Sequence, residues 1–199
     1  MTISRETEKI IIALYNEIQK QKFNKVKISI LEMKQRIQVG DYTWSPFMKE
    51  GDKVYIMLDK EFSVDTDQFG DSNNYLTSDI RKTVNNCNAS RQALEIFGVD
   101  ILIPMRLDLL SHDGLGDYGV CEGDLFGIIT YDMYRMNRKH IDISYMATCT
   151  PDSTLSGYGA SYVRIVSSNG SVRYDGCESC APVRPFCILP SDTFVATVV

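Results

Sequence analysis

Two alternating runs, Ser161-Tyr162-Val163-Arg164-Ile165-Val166 and Ser171-Val172-Arg173-Tyr174, flank Ser168-Asn169-Gly170, and no other pattern in the chain constrains the fold as strongly. Asn-Gly between segments of period two specifies a β-hairpin, because both residues tolerate the positive φ of such turns. Further strands are expected upstream. Val54-Tyr55-Ile56-Met57-Leu58 is continuously apolar, and Val26-Lys27-Ile28-Ser29-Ile30 alternates like a half-buried strand. Gly40-Asp41 and Gly51-Asp52 punctuate the stretch between them. Val183-Arg184-Pro185-Phe186-Cys187-Ile188-Leu189 reads as a late strand that its prolines push toward a sheet edge.

Short helices interrupt these strands. Ser78 is placed to cap one carrying Ile80 and Val84, and Ser90 to cap another carrying Ala93, Leu94 and Phe97, stopped by Gly98. Thr130 opens a third from Tyr131 to Lys139, with Arg135, Arg138 and Lys139 near the negative end of its dipole. The first residues predict a longer helix. Ser4 is its N-cap, Glu6 and Glu8 lie in its first turn, and Ile10, Leu14 and Ile18 recur at i, i+4 and i+8, widened by Ile11 and Tyr15. It ends in Gln19-Lys20-Gln21-Lys22 and packs either on its own domain or on a neighbouring subunit. Helices and strands mix without a βαβ rhythm, so the expected class is α+β with a mainly antiparallel sheet.

Charge excludes some partners. Twenty-six acidic residues against 21 basic ones leave a net charge of −5, which disfavours nonspecific nucleic-acid binding. No run of about 18 apolar residues exists to insert into a membrane. The start lacks the basic and apolar regions of a secretory signal, so the chain is expected to stay where it is made or to leave inside something larger. Residues 1–60 hold 11 basic and 8 acidic groups (+3), leaving 10 and 18 (−8) for residues 61–199. A basic beginning on an acidic body suggests a segment with its own partner.

Catalytic templates match poorly. Of the six cysteines, only Cys177 and Cys180 are closely spaced, and the two histidines, His112 and His140, are isolated. Reduced structural cysteines are expected, with a disulfide in an assembled state or a metal site as alternatives. Gly114-Leu115-Gly116-Asp117-Tyr118-Gly119 partly mimics a dinucleotide fingerprint, but it follows Ser111-His112-Asp113 rather than an apolar strand and reads as a tight loop. Asp113 adjoins His112 without a serine elbow, and Asp65 and Asp67 lack the rest of a calcium loop. Composition is more telling. Ser144 to Cys180 contains eight serines, four glycines and four tyrosines, the makeup of recognition loops and also of ordinary hairpins.

Many short blocks in fixed order carry a resemblance. They include Asn74-Tyr75, Ser78-Asp79-Ile80-Arg81-Lys82, Asp108-Leu109-Leu110-Ser111, Asp113-Gly114-Leu115 and Asp117-Tyr118-Gly119. Ala147-Thr148-Cys149-Thr150-Pro151-Asp152-Ser153-Thr154, Tyr162-Val163-Arg164, Ser168 to Val172 and Val183 to Ile188 continue the series. Over about residues 50–199 the chain resembles a family of uncharacterised domains common in Gram-positive bacteria and their prophages. That family looks C-type-lectin-like, related in architecture to formylglycine-generating enzymes and to phage receptor-binding proteins.

The amphipathic helix, outside that resemblance, places Ile10, Ile11, Leu14, Tyr15 and Ile18 in an expected assembly segment over 1–45, and the resemblance implies a C-type-lectin-like domain over 46–199. Arg184 and the Thr150-Pro151 block would hold the scaffold. The display positions would be Tyr158, Ser161, Tyr162, Arg164, Arg173, Tyr174, Asp175 and Glu178. The implied protein is a noncatalytic virion component, a fibre, tail-associated or capsid-decoration protein. It would associate with itself, as trimers do in such appendages, with other virion proteins, and with a host-surface glycan or protein. No cofactor, metal or catalytic residue is implied, and the calcium triplets of sugar-binding C-type lectins are absent. The alternatives are a formylglycine-generating-type enzyme and a host cytoplasmic binding module. Two departures stand out: Ser144-Tyr145-Met146 replaces tryptophans of the family, and Ala181-Pro182 replaces a glycine, fixing φ and removing an N–H.

Overall fold

A computed structural model describes residue 7, residues 25–64 and residues 68–198. The expected N-terminal helix, its assembly residues Ile10, Ile11, Leu14, Tyr15 and Ile18, and the pair Asp65 and Asp67 lie outside the described residues. In chain order the strands are β1 (Lys25–Lys27), β2 (Ile37–Val39), β3 (Tyr42–Glu50) and β4 (Lys53–Leu58). Helices α1 (Asp79–Asn86) and α2 (Asn88–Phe97) follow, then β5 (Arg106–Asp108), β6 (Val120–Glu122) and α3 (Tyr131–Asn137). Strands β7 (Met146–Pro151), β8 (Tyr162–Val166), β9 (Val172–Gly176), β10 (Phe186–Pro190) and β11 (Phe194–Thr197) complete the order.

The class is mixed α+β with antiparallel pairing throughout. A six-stranded sheet runs β1-β11-β2-β3-β4-β10, beside a two-stranded β5-β6 ribbon and a three-stranded sheet β7-β8-β9. Residue 45, where the assembly segment was expected to end, falls inside β3. Ile28, Leu31, Ile37 and Val39 are buried in the same core as Val54, Ile56 and Leu58. Aromatic rings fill that core: Phe186 meets Phe47 edge-on at 5.9 Å and stacks on Tyr55 at 6.2 Å, while Trp44 lies 6.4 Å from Phe126.

Local signals place several elements. The Ser78 hydroxyl accepts from the Arg81 amide to cap α1, and the Thr130 hydroxyl accepts from Met133 to cap α3. The Asn-Gly signal forms the β8–β9 hairpin. Ser167 and Ser171 close a loop of Ser168, Asn169 and Gly170, with Gly170 at φ 79. Strand β10 lies at a sheet edge as its prolines require. Its outer side is covered by a bridge from Phe186 to Gly127 and a hydrogen bond from the Ile103 amide to the Ile188 carbonyl.

Other expectations need correction. The strand expected over Val26–Ile30 stops at Lys27, and residues 28–30 turn into a 3-10 helix that buries Ile28 and leaves Ile30 exposed. Helix α2 begins two residues before Ser90; that buried hydroxyl instead donates to the Val84 carbonyl at 2.6 Å. The third helix tightens to a 3-10 turn over Arg138–His140. Strand β3 was hidden by Pro46, which sits at a bulge where Phe47 has no partner across the ladder.

Candidate functional site

Two loops are tied together beside the three-stranded sheet. One joins β5 to β6 and holds Ser111 to Gly119; the other joins β7 to β8 and holds Asp152 to Ser161. Asp113 accepts from the Ser111 hydroxyl on one oxygen and from the Ser153 hydroxyl on the other at 2.6 Å. Asp117 accepts from Thr154 at 2.6 Å and from the Ser156 amide at 3.4 Å. Ser111 first and Ser153 second pull the Asp113 carboxyl below its ordinary pKa, and Thr154 then Ser156 do the same to Asp117. Gly157 lies so close to this seam that a Cβ there would fall 2.3 Å from the Ser153 hydroxyl and 2.7 Å from Leu115. That contact explains the glycine.

Asn73 is the hub beneath both loops. Fully buried, its amide donates to the Ser153 and Tyr162 carbonyls at 2.8 Å each, and its oxygen accepts from the Tyr118 hydroxyl at 2.7 Å. Its backbone N–H donates to Ala160 at 2.9 Å. Nothing in the sequence pattern marks this residue.

The fixed backbone presents aromatic side chains. Tyr158 is 98% exposed on the 153–158 turn, whose neighbour Leu155 is also exposed. Tyr162 and Tyr174 project from the same face of β8 and β9 and meet edge-to-face at 5.3 Å. Arg164 shares that face, but its guanidinium is engaged by Asp152 in an ion pair with both side chains largely covered. Ser161 is exposed immediately before Tyr162. Alternation along β9 turns Arg173 and Asp175 to the other face. Burial works to raise the Asp175 carboxyl, but hydrogen bonds from Ser179, Tyr145 and the Gly176 amide outweigh it and hold it low. Glu178 is exposed in the turn after β9. Of the eight expected display residues, Tyr162, Arg164 and Tyr174 share one face of the sheet, Arg173 and Asp175 lie on the other, and Tyr158, Ser161 and Glu178 stand on the flanking loops.

Elsewhere the chemistry is sparse. A cleft of about 520 Å³ opens between the 106–114 segment and α3. In it the His112 ring lies edge-on to Tyr131 at 5.4 Å, and Arg135 sits 5.7 Å from the Tyr131 ring centre. The Asp113 oxygens go to serines rather than to His112. The glycine-bearing segment 114–119 connects two strands and opens no helix. All six cysteines are free thiols. Burial pushes Cys121 and Cys177 up to about 11 and Cys149 and Cys187 further still, which suppresses the thiolate. Among the described residues no three His, Cys, Asp or Glu side chains are grouped to hold a metal. No helix among them is long and apolar enough to cross a membrane.

No family model, curated protein or solved structure matches this chain.

Arg184 ties two other segments together. Its buried guanidinium donates to the Leu58 carbonyl at 2.8 Å and the Asp142 carbonyl at 2.6 Å, joining the end of β4 to the segment before β7. Burial lowers its pKa to about 10, opposed by Asp59 and Asp142. Thr150 supports the same region by accepting from the Tyr131 amide at 2.9 Å.

Proposed function

We propose that this chain is a noncatalytic structural protein of a phage or prophage particle, and that its compact part is a C-type-lectin-like domain displaying a face for host-surface recognition. The carrying observation is exposed tyrosine on tied-down backbone: Tyr158 and Tyr162 stand on segments held by Asn73, Asp113 and Asp117, and Tyr174 packs edge-on against Tyr162 from the paired strand. Exposed tyrosine on a rigid support offers large contact area at little entropic cost, the usual composition of a recognition surface. The ligand is a host-surface glycan or protein, and the chain needs no cofactor to bind it. In this reading the segment ahead of β1, with Ile10, Leu14 and Ile18, mediates assembly with further copies and with other particle proteins.

An enzyme of the formylglycine-generating type would need a reactive thiolate, and burial works against one at Cys121, Cys149, Cys177 and Cys187. Neither large cleft is lined by cysteine. Quantitative mass spectrometry of particles purified from cells carrying this reading frame tests the assignment. The chain is expected in a fixed ratio to the major particle proteins. Its absence from particles while abundant in those cells would overturn the assignment and favour a host binding module.

A further inference from the structure

Cations from distant parts of the sequence converge on one concave surface. Lys34, Lys60, Arg135, Arg138 and Lys139 line a groove of about 680 Å³. Its apolar part includes Met136, which is 66% exposed, and Ile143. Lys34 pairs with Asp142 at 3.1 Å and Arg135 with Asp132 at 3.0 Å. Among the described residues Lys60, Arg138 and Lys139 make no ion pair. Positive charge is thus left unneutralised in a chain whose net charge is −5.

Two further observations point to the same place. Lys34 has φ 68, where a side chain with a Cβ costs on the order of 1 kcal/mol. A hydrogen bond from its amide to the Pro46 carbonyl at 2.9 Å holds it there. The imidazole of His140, in a recess with Lys34, Asp59, Asp142 and Arg184, is pushed below its ordinary range by burial and then by the charges of Lys139 and Lys34.

The groove's shape and lining select among anions. At about 680 Å³ and open to solvent it has room for more than a single phosphate, and no aromatic ring lines it on which a nucleic-acid base would stack. The overall negative charge also opposes the approach of a polynucleotide. Met136 borders a second hollow of about 210 Å³ whose lining includes Met48, Tyr55, Glu50 and Arg106 and the buried Met105 and Met133. Methionine surfaces adapt to apolar side chains of varied shape.

We propose that this groove docks an acidic peptide segment of a partner protein, with carboxylates against the unpaired cations and an apolar side chain against Met136. The groove lies at the turn end of the β8–β9 hairpin, where Gly170 approaches Arg138 and Ile143, whereas Tyr162 marks the opposite end. Docking there leaves the tyrosine face free and does not depend on its role.

Fluorescence anisotropy on the full chain tests the proposal with three labelled probes: a peptide alternating glutamate and leucine, poly-glutamate of equal length, and oligothymidylate of equal charge. The glutamate–leucine peptide is expected to bind saturably, more tightly than the others, and more weakly as salt is added. K60E/K139E, at two exposed unpaired positions, should lower its affinity at least about tenfold with an unchanged melting curve. Met136→Ala should weaken the glutamate–leucine peptide and leave poly-glutamate unchanged. In a proton NMR titration the pKa of His140 should rise on saturation, because bound carboxylates offset Lys139 and Lys34. Equal or tighter oligothymidylate binding, equal binding by the charge-reversed variant, or no saturable binding of the peptide would overturn the proposal.

Discussion

Asn73 concentrates more of the candidate face in one side chain than any other residue. Its three side-chain hydrogen bonds reach the Ser153 and Tyr162 carbonyls and the Tyr118 hydroxyl. Truncating it leaves the buried Ser153 carbonyl without that donor and the Tyr118 hydroxyl without its acceptor, while the Tyr162 carbonyl keeps the Asp152 amide; an orphaned buried group costs more than the net value of the bond itself. Asn73→Ala is therefore expected to cost about 2–4 kcal/mol in chemical denaturation. Tyr118→Phe, which leaves the buried Asn73 oxygen without its donor but spares both bonds of the amide nitrogen, should cost about 1–2 kcal/mol. Equal small effects from both would mean that Asn73 does not organise the loops. Sequence reading passed over this residue for a physical reason. Its partners lie 45, 80 and 89 positions away, and a lone asparagine carries no periodicity that announces a long-range contact.

At the scale of elements, the two loops owe their union to carboxylates. Hydrogen bonds lower the Asp113 and Asp117 pKa values below their unfolded values near 4. Their contribution is thus fully present above about pH 4 and is lost as pH falls through the depressed folded values. Hydrogen exchange of the 153–158 amides, followed as pH is lowered, should show this turn opening before the six-stranded sheet unfolds. Simultaneous loss of both would remove the carboxylates from that role. Elements with local signals were legible in the sequence: the β8–β9 hairpin from Asn169-Gly170, α1 from Ser78, and β4 from its apolar run. Strand β3 was not, because Pro46 mimics a strand breaker where the structure uses it at a bulge. Strands β5 and β6 are three residues each, too short for a period to register, and β11 is specified by pairing with β1 and β2 across the length of the chain. The composition of residues 144–180 located the tyrosines, but only strand register shows that Arg173 and Asp175 face away from Tyr162 and Tyr174.

In the whole molecule, charge and aromatic surface occupy different ends of the same hairpin. Folding brings two cations of the basic beginning, Lys34 and Lys60, together with Arg138 and Lys139 of the acidic remainder in one groove. The tyrosine face, by contrast, draws on a single stretch from Tyr158 to Tyr174 and stands apart from that groove. The most direct measurement is adsorption to host cells by particles in which Tyr158, Tyr162 and Tyr174 are all replaced by alanine. If these exposed rings are the recognition surface, the altered chain enters particles at normal copy number while adsorption falls at least about tenfold, since contact tyrosines at such surfaces contribute roughly 1 kcal/mol or more each. Normal incorporation with undiminished adsorption would contradict the recognition role.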